Sequence, residues 1–189
     1  MAGLCRTGVT ISHFFLEEKL KEGDRAIDAT CGNGNDTLFL AHLVGDSGLV
    51  FGFDIQEKAI NNTLEKLTAA DLSQRVKLIQ AGHQLMRQYI NEPVKGVIFN
   101  LGYLPGGDQQ VITESHTTIE AITGALELLQ PGGLVIIVLY PGHAGGQQEA
   151  AAVLDFAEQL DKSKWDVVQF KHLNRTEGSP QVLIIEDKR

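Results

Sequence analysis

The stretch Asp28-Ala-Thr-Cys-Gly-Asn-Gly-Asn-Asp36 decides how this chain folds. An apolar run from Arg25 leads into it and an amphipathic run to Val44 leads out, so it reads as a tight turn from strand to helix. Gly32 and Gly34 let the backbone turn sharply and expose main-chain atoms that a Cβ would cover. Asp54 closes the next apolar run, where a carboxylate can accept two hydrogen bonds from a ribose diol. A dinucleotide-binding turn needs a third glycine at the start of its helix, and this chain has Thr37 there. Asp28 would also repel a pyrophosphate. A cofactor carrying a cationic sulfonium and an ammonium suits Asp28 and Asp36 better, which leaves an NAD-dependent oxidoreductase a distant third reading.

Outward from this turn, short β-branched or apolar runs alternate with longer amphipathic ones, the pattern of a parallel sheet covered by helices. A leading helix is expected over Ser12–Glu22, capped by Ser12, with Phe15, Leu16, Lys19 and Leu20 at helical spacing and Gly23 as its stop. Strands are expected at Arg25–Thr30, Leu49–Asp54, Val76–Gln80, Val94–Leu101, Leu134–Tyr140, Trp165–His172 and Val182–Glu186. Helices are expected at Asp36–Val44, Gln56–Ala70, His83–Ile90, Thr117–Leu129 and Gln147–Asp161. Ile60, Leu64 and Leu67 should face inward from the second of these. Ile119, Ile122, Leu126 and Leu129 should do so from the fourth, which Pro131-Gly-Gly133 should stop. Only Leu173–Gln181 separates the last two strands, too short a link for a parallel crossover, so they should pair antiparallel. The expected fold is α/β: a Rossmann-like, doubly wound, seven-stranded sheet, mostly parallel with an antiparallel last strand, and helices on both faces. Residues 1–189 should form one domain, with 12–22 as its leading helix.

The bulk properties fit this reading. A chain of 189 residues, 43% hydrophobic and 21% charged, needs no disulfide or metal to hold its core. Cys5 and Cys31 are therefore expected to be free thiols. The longest apolar runs, Leu134–Leu139 and Val182–Ile185, have the length of buried strands and fall far short of the ~20 residues that span a bilayer. Met1–Thr10 lacks the apolar stretch of a signal peptide, so a cytoplasmic location without membrane contact is expected. A net charge of −8 argues against indiscriminate nucleic-acid binding. Lys162–Arg175 runs the other way: Lys162, Lys164, Lys171 and Arg175 against Asp166 give 4 − 1 = +3, and His172 can add to this candidate phosphate-facing edge.

Asp28-x-x-x-Gly32-x-Gly34 with Asp54 resembles the first motif and the acidic ribose ligand of class I S-adenosylmethionine-dependent methyltransferases. Thr30 departs from it, since many members have a further glycine there. Three runs, Asp28-Ala-Thr-Cys-Gly-Asn-Gly-Asn-Asp-Thr37, Asn100-Leu-Gly-Tyr-Leu-Pro-Gly-Gly-Asp108 and Tyr140-Pro-Gly-His143, resemble the YtqB/MnmM family, also labelled rRNA methylase, over nearly the whole chain. That resemblance implies methylation of the 5-aminomethyl group of the wobble uridine, with the tRNA anticodon loop as partner and S-adenosylhomocysteine as product. It also implies that Asn33 and Asn35 border the methionine moiety, Asp54 and Gln56 the ribose, and Gly82 and His83 the adenine.

Asn100-Leu-Gly-Tyr103 resembles the Asn/Asp-Pro-Pro-Tyr motif of amino-group methyltransferases, with Leu-Gly in place of the prolines. An amine nucleophile needs acceptors that orient its N–H bonds, and the Asn100 oxygen can be one. By the same resemblance an aspartate at position 100 should keep part of the activity. Tyr103 and Tyr140 are candidates for stacking on a base, and His143 is a candidate proton acceptor. The residues alone leave the acceptor open among an RNA, a small-molecule amine and a protein side chain. A module that binds the cofactor without catalysis is the rival from another class, and intact Asn100 and Tyr103 speak against it. An uncovered sheet edge is compatible with a homodimer.

Overall fold

The computed structural model describes residues 6–102, 113–142, 145–176 and 178–189. Cys5, Tyr103, Asp108 and His143 lie outside the described residues. In chain order the elements are α1 (Gly8–Lys19), β1 (Arg25–Asp28), α2 (Asn35–Val44), β2 (Leu49–Asp54), α3 (Glu57–Ala69), β3 (Val76–Gln80), α4 (Met86–Tyr89), β4 (Val94–Asn100), α5 (Ser115–Leu128), β5 (Leu129–Leu139), α6 (Gly146–Glu158), β6 (Trp165–Phe170) and β7 (Gln181–Asp187). A 3₁₀ turn, His83–Leu85, opens α4.

The strands form one seven-stranded sheet in the order β3-β2-β1-β4-β5-β7-β6. The five strands from β3 to β5 are parallel, and β7 pairs antiparallel with both β5 and β6. The expected fold class holds. Strand order reverses between β1 and β4, and such a switch point opens a crevice at the carboxyl ends of the strands.

Period-two alternation explains the two layers. Ala26, Val50, Ile98, Ile136 and Ile184 point to one face, against Leu16, Leu40 and Leu67 of α1, α2 and α3. Ile27, Phe51, Phe99, Ile137 and Ile185 point to the other, against α4, α5 and α6 through Met86, Ile122 and Val153. No helix among the described residues is long and apolar enough to cross a membrane.

Several element boundaries depart from expectation for identifiable reasons. Helix α1 starts at Gly8, capped by Thr7, whose hydroxyl accepts from the Thr10 amide while Thr10 reaches back to the Thr7 amide. Ser12 instead lies buried inside the helix, its hydroxyl donating to the Gly8 carbonyl at 2.9 Å. In α3 the inward residues are Ala59, Thr63 and Leu67, and Leu64 is exposed. Pro131-Gly-Gly133 does not separate α5 from β5. Leu129 already pairs with Val94 and Leu134 with Gly96, so the Pro-Gly-Gly segment is accommodated as an irregularity within the strand. The last strands occupy Trp165–Phe170 and Gln181–Asp187 and form the expected antiparallel hairpin.

The glycine turn packs on α3. Gly34 has φ +75°, and a Cβ there would lie 2.9 Å from the Thr63 Cα. Gly34→Ala combines a left-handed backbone penalty of about 1–2 kcal/mol with a clash against helix backbone. A loss of about 2 kcal/mol or more is expected, read in thermal unfolding as a melting point lowered by roughly 4 °C or more. An unchanged melting point would mean that the turn does not need this close approach.

Candidate active site

A cleft of about 580 Å³ opens at the carboxyl ends of the strands, within the range of small-ligand sites. Its floor is the turn after β1. Asp28, which ends that strand, is fully buried. It accepts from the Thr30 amide at 3.1 Å and from the Thr37 hydroxyl at 2.5 Å. Burial first, and then the charge of Asp36, push its pKa up to about 7. Asp28 thus sits beneath the wall of the cleft rather than on it, and so does Gly34. Asn33 accepts from the Asn62 side chain at 3.0 Å, and Asn35 accepts from Lys66. Helix α3 therefore pins the turn from behind, which accounts for its polar inner face.

On one side, Asp54 stands at the end of β2. Its carboxylate accepts from the Gly32 amide at 3.0 Å and the Gln56 amide at 2.9 Å. These bonds fix its direction and leave further lone pairs for a ligand hydroxyl. Burial raises its pKa despite these bonds. Beyond β3, Gly82 and His83 line the same cleft. His83 Nδ1 lies 3.3 Å from the Ala29 carbonyl, which can only accept, so Nδ1 is the donor and Nε2 is left as an acceptor. Burial lowers the His83 pKa to about 4, so the ring is neutral around pH 7.

On the opposite side Asp36, Asn100 and Tyr140 meet. Asp36 is 6% exposed. Its Oδ2 accepts from Asn100 Nδ2 at 3.1 Å, and its Oδ1 lies 2.7 Å from Nε2 of His13 in α1. Asn100 thus meets Asp36 through its side-chain nitrogen and not its oxygen. The backbone of Asn100 donates to the Thr30 hydroxyl at 2.8 Å, so the residue that departs from the glycine pattern ties the first turn to β4. Burial and the Asp36 charge raise the Tyr140 pKa, while a hydrogen bond with Asn100 lowers it. The balance keeps the phenol protonated.

Of the residues singled out in the sequence, Gly32, Asn33, Asn35, Asp36, Asp54, Gln56, Gly82, His83, Asn100 and Tyr140 share this one cleft. Sequence reasoning missed Thr113 and Thr117, which line the wall at the start of α5, and His13 behind it. The basic run is divided. Strand β6 runs parallel to β5, because both oppose β7. Lys171 and Arg175 therefore leave β6 on the cleft edge, whereas Lys162 and Lys164 precede it on the far edge.

The cleft fits S-adenosylmethionine on its own chemistry. A carboxylate fixed by two amides can accept from a diol, a neutral imidazole can border an uncharged base, and the carboxylate of Asp36 in the cleft wall can offset a cation. Solved structures of this architecture agree. A "putative rRNA-methylase" from Clostridium thermocellum matches with a TM-score of 0.94 and 48% identity, over 96% of this chain and 98% of that one. A "putative methyltransferase" from Streptococcus mutans, solved in complex with SAH, matches with a TM-score of 0.88 and 41% identity, over 96% and 98%. The class is that of the S-adenosylmethionine-dependent methyltransferases. Within it, the model of the family described as "Putative rRNA methylase" matches residues 50–186, and the chain belongs to that family. A relative from Arabidopsis thaliana, "tRNA (mnm(5)s(2)U34)-methyltransferase, chloroplastic", is 41% identical over 175 residues, which is 87% of this chain. The match spans 64% of the plant protein's length.

Asp54→Ala removes the fixed acceptor for the ribose and frees the Gly32 amide. Calorimetric titration should show S-adenosylmethionine binding weakened about 10- to 100-fold, as for a lost hydrogen bond to a charged group. Unchanged affinity would remove Asp54 from the cofactor site.

Proposed function

We propose that this chain methylates tRNA, transferring the methyl group to the amine of a 5-aminomethyl group on the wobble (2-thio)uridine in the anticodon loop. The observation that carries the reading is the committed amide of Asn100. Asp36 takes one of its two N–H bonds, which keeps the amide oxygen off Asp36 and makes it the acceptor we assign to an incoming amine. The name of the plant relative supports the same acceptor.

Bound S-adenosylmethionine supplies a methyl carbon on a sulfonium, already activated for attack by a neutral nitrogen. The Asn100 oxygen accepts one N–H of the acceptor amine and turns the nitrogen lone pair toward that carbon. The Tyr140 hydroxyl, protonated and beside Asn100, closes the same wall. The N–C bond forms as the C–S bond breaks, and the proton leaves the nitrogen for solvent. Catalysis of this kind is mostly alignment. Methylation of an rRNA or of a small-molecule amine is the alternative for the same site. The outer strand β6, with Val167 and Val168 exposed, is the edge through which a homodimer would form.

The test is incubation with S-adenosylmethionine and tRNA bearing the 5-aminomethyl group, followed by nucleoside mass spectrometry. Asn100→Ala should lower single-turnover methylation about 10²-fold, the cost of a misplaced reacting group, with little change in cofactor affinity. Asn100→Asp should fare no better. The motif resemblance favours partial activity, but Asp36 Oδ2 lies 3.1 Å from the position the new oxygen would take, and two carboxylates repel there. Wild-type speed in the Ala variant would remove Asn100 from the chemistry. Methylation of rRNA or a free amine in place of tRNA would transfer the reading to the alternative.

Docking of the tRNA should depend on the cleft edge alone. Lys171 and Arg175 are exposed there, and Arg175 Nη1 donates to the Arg6 carbonyl at 3.0 Å. Neutralising Lys171 and Arg175 should weaken tRNA binding and flatten its salt dependence, while neutralising Lys162 and Lys164 should do neither. Equal effects from both pairs would mean that RNA reaches the far edge.

A further inference from the structure

Helix α1 precedes every part of the cofactor-binding motif, and its apolar face explains it as a cover for the sheet. Two features go beyond that. Val9, in its first turn, lines the cleft. One turn later His13 points at the back of Asp36, with Nε2 2.7 Å from Oδ1. The imidazole is clamped in place: it stacks on Phe39 of α2 with ring centroids 3.7 Å apart and planes 3° from parallel. Its side chain is only 26% exposed.

We propose that His13 is a positioning residue for methyl transfer, fixing the Asn100 amide through Asp36. The proposal rests on the assignment of Asn100 as the group that orients the acceptor amine.

A primary amide has two orientations of nearly the same shape, distinguished only by what they hydrogen-bond. With nitrogen toward Asp36 the amide presents its oxygen to the cleft. With oxygen toward Asp36 it meets a carboxylate and presents a donor, which cannot accept an amine N–H. Asp36 therefore biases the choice, beside the Tyr140 hydroxyl that also hydrogen-bonds Asn100, and Asp36 is itself free to turn about its terminal bond unless both oxygens are held. Asn100 holds Oδ2 and His13 holds Oδ1. A carboxylate only accepts, so Nε2 of His13 carries the proton. That proton points at Asp36 rather than into the cleft, so His13 acts through Asp36 and not on the substrate. The line His13–Asp36–Asn100 joins three separate elements, α1, α2 and β4, at the point where alignment matters most.

The test compares His13→Ala with His13→Gln, whose terminal amide can restore a donor toward Asp36. With aminomethyl-bearing tRNA, His13→Ala should lower kcat about 10- to 100-fold. KM for tRNA and Kd for S-adenosylmethionine should stay within about twofold, and His13→Gln should recover most of the loss. A loss of cofactor affinity to match the loss of kcat, or no recovery in His13→Gln, would overturn the proposal and make His13 a packing residue. A second measurement needs no acceptor. The side-chain amide signals of Asn100, assigned by their loss in Asn100→Asp, should shift or broaden in His13→Ala and return in His13→Gln. If those signals are unchanged in His13→Ala, the proposal fails whatever the acceptor is. If they respond as expected while tRNA is not methylated by the parent, the positioning stands and the assignment of the acceptor fails instead.

Discussion

A carboxylate with no exposure to solvent ends β1, and the site is built around it. Burying an unpaired carboxylate costs several kcal/mol, so Asp28 must find donors. It finds the Thr30 amide and the Thr37 hydroxyl, one inside the turn and one in the first helical turn of α2. These two bonds fold the segment back on itself. They place the Gly32 amide where it can hold Asp54 and the Thr30 hydroxyl where it can receive the Asn100 amide. The Asp54 side and the Asn100 side of the cleft are thus both referred to one buried side chain.

The same residue shows how charge is distributed. Burial, with Asp36 and then Asp54 adding to it, raises the Asp28 pKa from 3.8 to about 7. Between those values the folded chain keeps a proton that the unfolded chain releases, so this group's contribution to stability declines as pH rises through that window. A cation bound beside these acids would lower the pKa again, and the fold would then carry the charge at less cost. His83 is the counterpart at the other end of the cleft. Its pKa is lowered from 6.5 to about 4 by burial, so it gives up stability as pH falls through that range. The two shifts run in opposite senses because burial disfavours the charged form of an acid and of a base alike.

The sheet was legible because short apolar runs of strand length alternate with longer amphipathic ones along the chain, and because the short final link rules out a crossover. What failed were features set by partners far along the chain. Leu64 fits an apolar stripe by spacing, yet α3 turns Thr63 and Leu67 inward because Thr63 must meet Gly34 and the bound turn. Ser12 looks like a cap by residue type, while Thr7 and Thr10 form one that lacks the usual Glu or Gln. Most motif residues among the described ones line the cleft, although Asp28 and Gly34 shape its wall from behind and Tyr103 and His143 lie outside the described residues. His13, Thr113 and Thr117 sit in no motif. Their only signal in the sequence is a polar residue within an otherwise apolar or helical run, which does not say what it faces.

The Glu149 side of the cleft repeats the logic of the Asp28 side. Glu149 of α6 is buried, and its two oxygens accept from the hydroxyls of Thr113 at 2.8 Å and Thr118 at 2.7 Å. Thr113 in turn receives the Gly102 amide at 3.1 Å and donates its own amide to the Gly102 carbonyl at 3.2 Å. One buried carboxylate therefore ties the end of β4, the start of α5 and the first turn of α6, as Asp28 ties β1, its turn and α2. Thr113 serves because a hydroxyl can donate to the acid and still accept from a backbone amide, whereas Asp28 takes the Thr30 amide and the Thr37 hydroxyl. The cleft lies between these two anchors, and Asp36, held by His13 and Asn100, stands where the two halves meet.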